Sequence, residues 1–264
     1  MSKINAIVLR AAGINCDVET AYALECAGAS AERVHVNRLI EKSSLLEGFT
    51  IAVLPGGFSY GDDVAAGKIL ANQVIHHLSD SLEKFVAAGK LVLGICNGFQ
   101  VLVKTGILPG WDSGNMVPGT QSVTITYNDS GKFEDRWVYL SPGRKRCVFL
   151  DADRIIYLPI AHGEGKVVVK GPDVLERLNE GGHAALRYVD KDGRQGGYPT
   201  NPNGSVDSIA GLMDQTGRVF GLMPHPERFV RPVQHPHWSR LKGQIRPDGM
   251  MIFENAVRFA RANL

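Results

Sequence analysis

Cys96 stands where an apolar run gives way to a helix. Lys90-Leu-Val-Leu-Gly-Ile precedes it, Asn97-Gly-Phe-Gln100 follows, and helix-compatible residues continue to Lys104 before Gly106. A buried strand, a sharp turn and a helix, with the cysteine at the turn, is the layout of a nucleophile elbow with sulfur in place of a hydroxyl. Gly94 and Gly98 are expected to let the backbone turn tightly and to leave room over the sulfur. The positive end of the following helix favours negative charge there. A buried structural cysteine gives a similar local pattern, since free cysteine is among the most buried residue types.

Two further stretches supply partners. Val219-Phe-Gly-Leu-Met-Pro224-His225-Pro226-Glu227-Arg228 is another apolar run ending in polar residues. The prolines hold His225 extended, and in an extended chain residues two apart point the same way. Glu227 can therefore orient the His225 imidazole, which gives a distant nucleophile its base and orienting group. Ile51-Ala-Val-Leu-Pro55-Gly56-Gly57-Phe58 is a buried strand running into a glycine turn, where backbone N–H groups stay uncrowded. The N–H groups of Gly57 and Asn97 are candidates for an oxyanion hole. Cys16, Cys26 and Cys147 lie outside any such elbow and are expected to be dispensable for chemistry.

Taken together, the three segments resemble the class I, triad-type glutamine amidotransferases, with a Gly-x-Cys-x-Gly elbow, an upstream Pro-Gly-Gly turn and a late His-Pro-Glu. Further segments narrow the likeness: Asn15-Cys-Asp17, Gly56-Gly-Phe-Ser-Tyr-Gly-Asp62, Pro159-Ile-Ala-His-Gly-Glu-Gly165, Asn201-Pro-Asn-Gly-Ser205 and Met223-Pro-His-Pro-Glu-Arg228. In this order they resemble the glutaminase subunits of phosphoribosylformylglycinamidine synthase, a family of purine biosynthesis. The resemblance implies Cys96, His225 and Glu227 as catalytic residues. It implies Gly56, Gln100 and His162 as substrate-binding residues, Gln100 helping to hold the glutamine and the His162 loop bordering its site. Departures from the pattern are Ala12, Asp63 and Ala65, where the family has Pro, an aromatic and Arg.

These residues need elements to position them. The chain has 264 residues and a formal net charge of +2, with ordinary apolar and charged fractions. That suits a substantial core and gives no sign of nucleic-acid or membrane binding. Ile4 to Leu9, Arg33 to Asn37, Ile51 to Leu54 and Lys90 to Ile95 read as strands. Between them lie a helix capped by Asp17 and a helical stretch from Ala66 to Ala88, broken near Ser79-Asp80-Ser81. Alternating strands and helices imply a mostly parallel central sheet flanked by helices, with ligands at the C-terminal strand ends. From Ser122 the texture changes to runs that predict an antiparallel extension in the second half. An amphipathic helix over Met251 to Ala262 closes the chain. The expectation is a single amidotransferase domain over residues 1–264, with a core of about 4–229 and a tail of 230–264.

The four cysteines have no CxxC spacing, so neither a metal site nor a disulfide framework is expected. Free thiols and the absence of a leader pattern fit a cytoplasmic protein. No P-loop is present, so ATP-dependent amidation has to occur elsewhere. The resemblance implies L-glutamine as substrate and a large synthetase subunit as partner, with ATP and magnesium bound there. The resemblance also leaves room for a small accessory subunit in the complex. An amidotransferase of another pathway, or a non-catalytic subunit with the same fold, are the alternatives.

Overall fold

In the computed structural model, residues 3–111, 121–152, 154–241 and 245–264 are described. The first half alternates as the sequence predicts: β1 (Ile4–Arg10), α1 (Asp17–Cys26), β2 (Ala29–His35), α2 (Val36–Glu41), β3 (Ile51–Leu54), α3 (Lys68–His77), α4 (Ser79–Ala87), β4 (Leu91–Ile95) and α5 (Asn97–Lys104). The second half contains β5 (Val123–Tyr127), β6 (Glu134–Pro142), β7 (Ile156–His162), β8 (Glu164–Val169), α6 (Pro172–Glu180), β9 (Ala184–Val189), β10 (Ile209–Met213), β11 (Val219–Leu222) and α7 (Asp248–Asn263).

Nine strands form one sheet in the order β2-β1-β3-β4-β11-β10-β9-β6-β7. From β2 to β11 every pairing is parallel. From β11 outward to β7 every pairing is antiparallel. The antiparallel extension is therefore continuous with the parallel sheet, while β5 and β8 pair separately as a two-stranded ribbon. Strands β3 and β4 are buried at every position, as befits strands covered on both faces.

Two local expectations are corrected. Asp17 is the first residue of α1 and Cys16 holds the N-cap position. The Asp17 carboxylate instead pairs with Arg10 and Arg33 at 2.9 and 3.1 Å, a charge demand that outcompetes capping. Strand β2 ends at His35, where the imidazole caps α2 by accepting from the Asn37 N–H at 3.2 Å. The helical stretch after Gly67 does break, at Leu78, one residue before the predicted Ser-Asp-Ser.

The closing helix packs on the domain itself. Met251, Ile252 and Phe253 of α7 are buried, and burying each such side chain contributes about 1.5–3 kcal/mol. Asp248 at its start accepts the Tyr157 N–H at 2.8 Å and pairs with Arg154, which ties α7 to β7. Ahead of it, Trp137 meets Phe229 edge-on at 5.1 Å and His235 at 5.7 Å, anchoring the segment after Arg228.

Candidate functional site

Register brings the site together. β4 lies between β3 and β11, with Leu54 level with Gly94 and Leu222 level with Ile95. All three strands run in parallel, so their C-terminal ends emerge side by side. β3 delivers Gly56 and Gly57, β4 delivers Cys96, and β11 delivers His225 and Glu227.

Cys96 adopts φ 49° and ψ −103°, outside the allowed basins for a residue with a side chain. Such strain costs about 1–3 kcal/mol and persists only where the surroundings fix it. Here the Cys96 N–H donates to Leu222 O at 2.8 Å, and the Cys96 carbonyl accepts from the Gln100 N–H at 3.0 Å. The flanking glycines work differently from the sequence expectation. Neither has a positive φ. A methyl on Gly98 would sit 1.8 Å from Leu54 O, and one on Gly94 would sit 2.6 Å from Leu102. The glycines let α5 press against β3 and β4, and the sharp turn falls on the cysteine.

His225 and Glu227 are both buried, and His225 Nδ1 lies 2.6 Å from Glu227 Oε1. A carboxylate can only accept, so Nδ1 carries the proton and Nε2 is left for a reacting group. Burial opposes charge on His225, but the Glu227 carboxylate and the Cys96 sulfur outweigh it and hold its pKa well above the ordinary imidazole value. The Cys96 Sγ itself lies 3.8 Å from the Ala161 carbonyl.

Among the described residues, no acceptor meets the N–H of Gly57 or of Asn97. Gly57 has φ 141°, and a methyl there would lie 2.7 Å from Asn15 N, so only glycine fits. The Asn97 side chain is committed: Oδ1 accepts from the Ser59 N–H, and Nδ2 donates to Asp62 and Gln100. Half-buried Asp62 also accepts from the Gly67 N–H at 3.2 Å, and its partial burial raises its pKa.

The three residues expected to hold substrate fare differently. Gly56 lies against the His225 ring, where a methyl would sit 2.7 Å from Cε1. Gln100 is buried rather than solvated, with Oε1 bonded to Asn97 and Nε2 to Glu164 O at 2.5 Å, so it links α5 to β8. His162 is buried, with Nδ1 3.1 Å from Asn128 Oδ1. Asn128 Nδ2 donates to two carbonyls, so its Oδ1 is the acceptor and His162 Nδ1 the donor. Burial pulls the His162 pKa down to about 3. The residue of this loop that meets the sulfur is Ala161, through its backbone, which no side-chain pattern in the sequence reveals.

The structure also brings to this site Cys16, which the sequence set apart as dispensable for chemistry. Its Sγ, a ring nitrogen of His225 and a carboxylate oxygen of Glu227 lie within 4.8 Å of one another. A thiol, an imidazole and a carboxylate are a zinc-type donor set. Arg228 Nη2, however, already donates to that sulfur at 3.2 Å and sets a fixed positive charge against it.

The arrangement sets a thiol, a carboxylate-oriented imidazole and two uncommitted backbone N–H donors around one strand terminus, the parts needed for acyl transfer from an amide. A family model described as a CobB/CobQ-like glutamine amidotransferase domain matches residues 3–260. The chain belongs to this family. Among curated glutamine amidotransferase relatives, the phosphoribosylformylglycinamidine synthase subunit PurQ of Dehalococcoides mccartyi is 49% identical over 99% of both chains. The subunit of the same name from Methanococcus maripaludis strain S2 is 40% identical over 96% of both. Among solved structures, a chain of PurLQS from Thermotoga maritima superposes with a TM-score of 0.73 at 31% identity, covering 98% of this chain and 99% of that one. The glutaminase domain of Trypanosoma brucei CTPS, at 13% identity and a TM-score of 0.59, shares the fold.

Proposed function

We propose that this chain is the glutaminase subunit of phosphoribosylformylglycinamidine synthase. The observation that carries the reading is the convergence of Cys96, His225 and the free Gly57 and Asn97 N–H groups at adjacent parallel strand ends, in a chain 49% identical to a subunit of that name. The whole chain acts as one amidotransferase domain, a reading supported by the family match over 3–260 and by the single sheet that joins both halves.

The chemistry follows from the groups. His225 Nε2 takes the proton of Cys96, and the sulfur attacks the side-chain amide carbon of L-glutamine. The N–H groups of Gly57 and Asn97 receive the developing oxyanion, one such donor being worth ~3 kcal/mol. His225 returns its proton to the departing nitrogen, releasing ammonia and leaving a γ-glutamyl thioester on Cys96. It then removes a proton from water, which attacks the thioester and releases glutamate and the free thiol. Glu227 keeps Nδ1 protonated and stabilises the imidazolium through both halves.

Ammonia then passes to a synthetase subunit, which binds ATP and magnesium and converts formylglycinamide ribonucleotide to formylglycinamidine ribonucleotide. The solved PurLQS assembly supports a partner of this kind. A cytoplasmic location fits the four free thiols, and among the described residues no helix is long and apolar enough to cross a membrane. The test is steady-state glutamine hydrolysis by the chain alone and with the synthetase and its nucleotide substrates. Hydrolysis that rises with the partner and vanishes in Cys96→Ala is expected. Turnover retained in Cys96→Ala would overturn the assignment.

A further inference from the structure

The reaction above uses none of the side chains of Asn15-Cys16-Asp17, and the sequence gives Cys16 no role. In the structure Cys16 is 1% exposed and held on every side. Its N–H donates to Gly56 O at 3.3 Å, and its carbonyl accepts from Thr20 N and Thr20 Oγ1 at 3.0 and 2.6 Å. Its thiol donates to Asn15 Oδ1 at 3.2 Å. Arg228 donates through Nη2 to the sulfur at 3.2 Å and through Nε to Glu19 at 3.0 Å, so one guanidinium links the thiol to a carboxylate of α1. The thiol proton is spent on Asn15, which leaves sulfur lone pairs for other neighbours.

The most telling neighbour is His225. A methyl on Gly56 would meet Cys16 Sγ at 3.2 Å, His225 Cε1 at 2.7 Å and Nδ1 at 3.2 Å. The sulfur and the Nδ1–Cε1 edge of the ring therefore flank the same space beside the Gly56 Cα, and the sulfur lies within 4.8 Å of a ring nitrogen. We propose that Cys16 is a positioning residue for His225, a reading that rests on the triad assigned above: its sulfur, braced by Arg228 and Glu19, backs the imidazole edge and holds the ring with Nδ1 on Glu227 and Nε2 free for Cys96. The sulfur also favours the protonated ring, alongside the larger effects of Glu227 and Cys96. Of the other charged or titratable groups around this sulfur and ring, Arg228 donates to the Cys16 sulfur, and His162 is held neutral by burial with a pKa of about 3.

The experiment measures kcat and KM for glutamine in the synthetase complex, together with the pH profile of Cys96 alkylation by iodoacetamide, read peptide by peptide. In Cys16→Ser a hydroxyl replaces the thiol, and both readouts are expected to stay within twofold of wild type. In Cys16→Ala the brace is gone. A loss of at least tenfold in kcat with little change in KM is expected, and the basic limb of the alkylation profile should move to lower pH as the imidazolium loses a partner. Arg228→Lys keeps the charge but cannot span Glu19 and Cys16 at once, so it should shift both readouts the same way by less. It decides the matter should Cys16→Ala fail to fold. The proposal is overturned if these variants match wild type, or if kcat falls while the basic limb stays in place. Cys96→Ala retaining activity would instead remove the triad reading itself.

Discussion

Adding one methyl group at Gly56 should disable the site without unfolding the protein. Gly56 has no positive φ, so alanine is tolerated by the backbone, and the effect must come from contact. The new Cβ would sit 2.7 Å from His225 Cε1 and 3.2 Å from Nδ1 and from Cys16 Sγ. Carbon atoms prefer separations of about 3.5–4.0 Å, so the ring has to retreat by about 1 Å. A displacement of that size in a reacting group costs on the order of 100-fold in rate, or about 2.7 kcal/mol of transition-state stabilisation. Ammonia release by the complex is the assay, with thermal unfolding as the check on folding. Gly48→Ala is the matched control, because a methyl there meets nothing within 4 Å. A Gly56→Ala enzyme with kcat within threefold of wild type would refute the placement of the His225 ring against this turn.

Three other outcomes are expected. His225→Asn should cost nearly as much turnover as Cys96→Ala and Glu227→Gln less, while the Cys96–His225 double variant should be little worse than either single, since groups acting as one unit are non-additive; comparison of kcat across the four variants checks this. His162, with its native pKa depressed to about 3, stabilises the fold fully above the unfolded value of 6.5, and that contribution is lost as pH falls toward 3. The loss approaches about 1.4 kcal/mol per pH unit once the pH is below the unfolded value, and the difference in stability between wild type and His162→Gln, followed by urea titrations from pH 7 to 5, should fall toward that slope. Phe253→Ala, at a fully buried position of α7, should cost about 3–5 kcal/mol by the same titrations; a loss under 1 kcal/mol would mean that the closing helix is no part of the core.

The parallel half of the fold was legible because its signals are local: apolar β-branched runs such as Ile51–Leu54 and Leu91–Ile95 alternate with helices ended by glycine. The candidate triad was legible because each member sits at the end of such a run. What the sequence did not disclose depends on register and packing. That β11 lies directly beside β4, carrying His225 to Cys96, is a long-range pairing between stretches more than a hundred residues apart. Gln100 looks like a helix-face residue, yet α5 is buried on all sides, so its amide is spent on Asn97 and Glu164. Asp17 looks like a cap until Arg10 and Arg33 converge on it. Cys16 is legible only as part of the Asn15-Cys-Asp17 segment, and its place behind His225 follows from β1, β3, β4 and β11 lying side by side in that order.

Peptide-resolved labelling with a glutamine-analogue electrophile such as a chloroketone gives the decisive reading of the site. The complex is treated with one equivalent, with and without excess glutamine, and all four cysteines are followed by mass spectrometry. Stoichiometric label on Cys96 alone is expected, suppressed by glutamine and abolished in His225→Asn, with Cys16, Cys26 and Cys147 unmodified. Stoichiometric label on any other cysteine, with Cys96 left free, would contradict the assignment of Cys96 as the nucleophile.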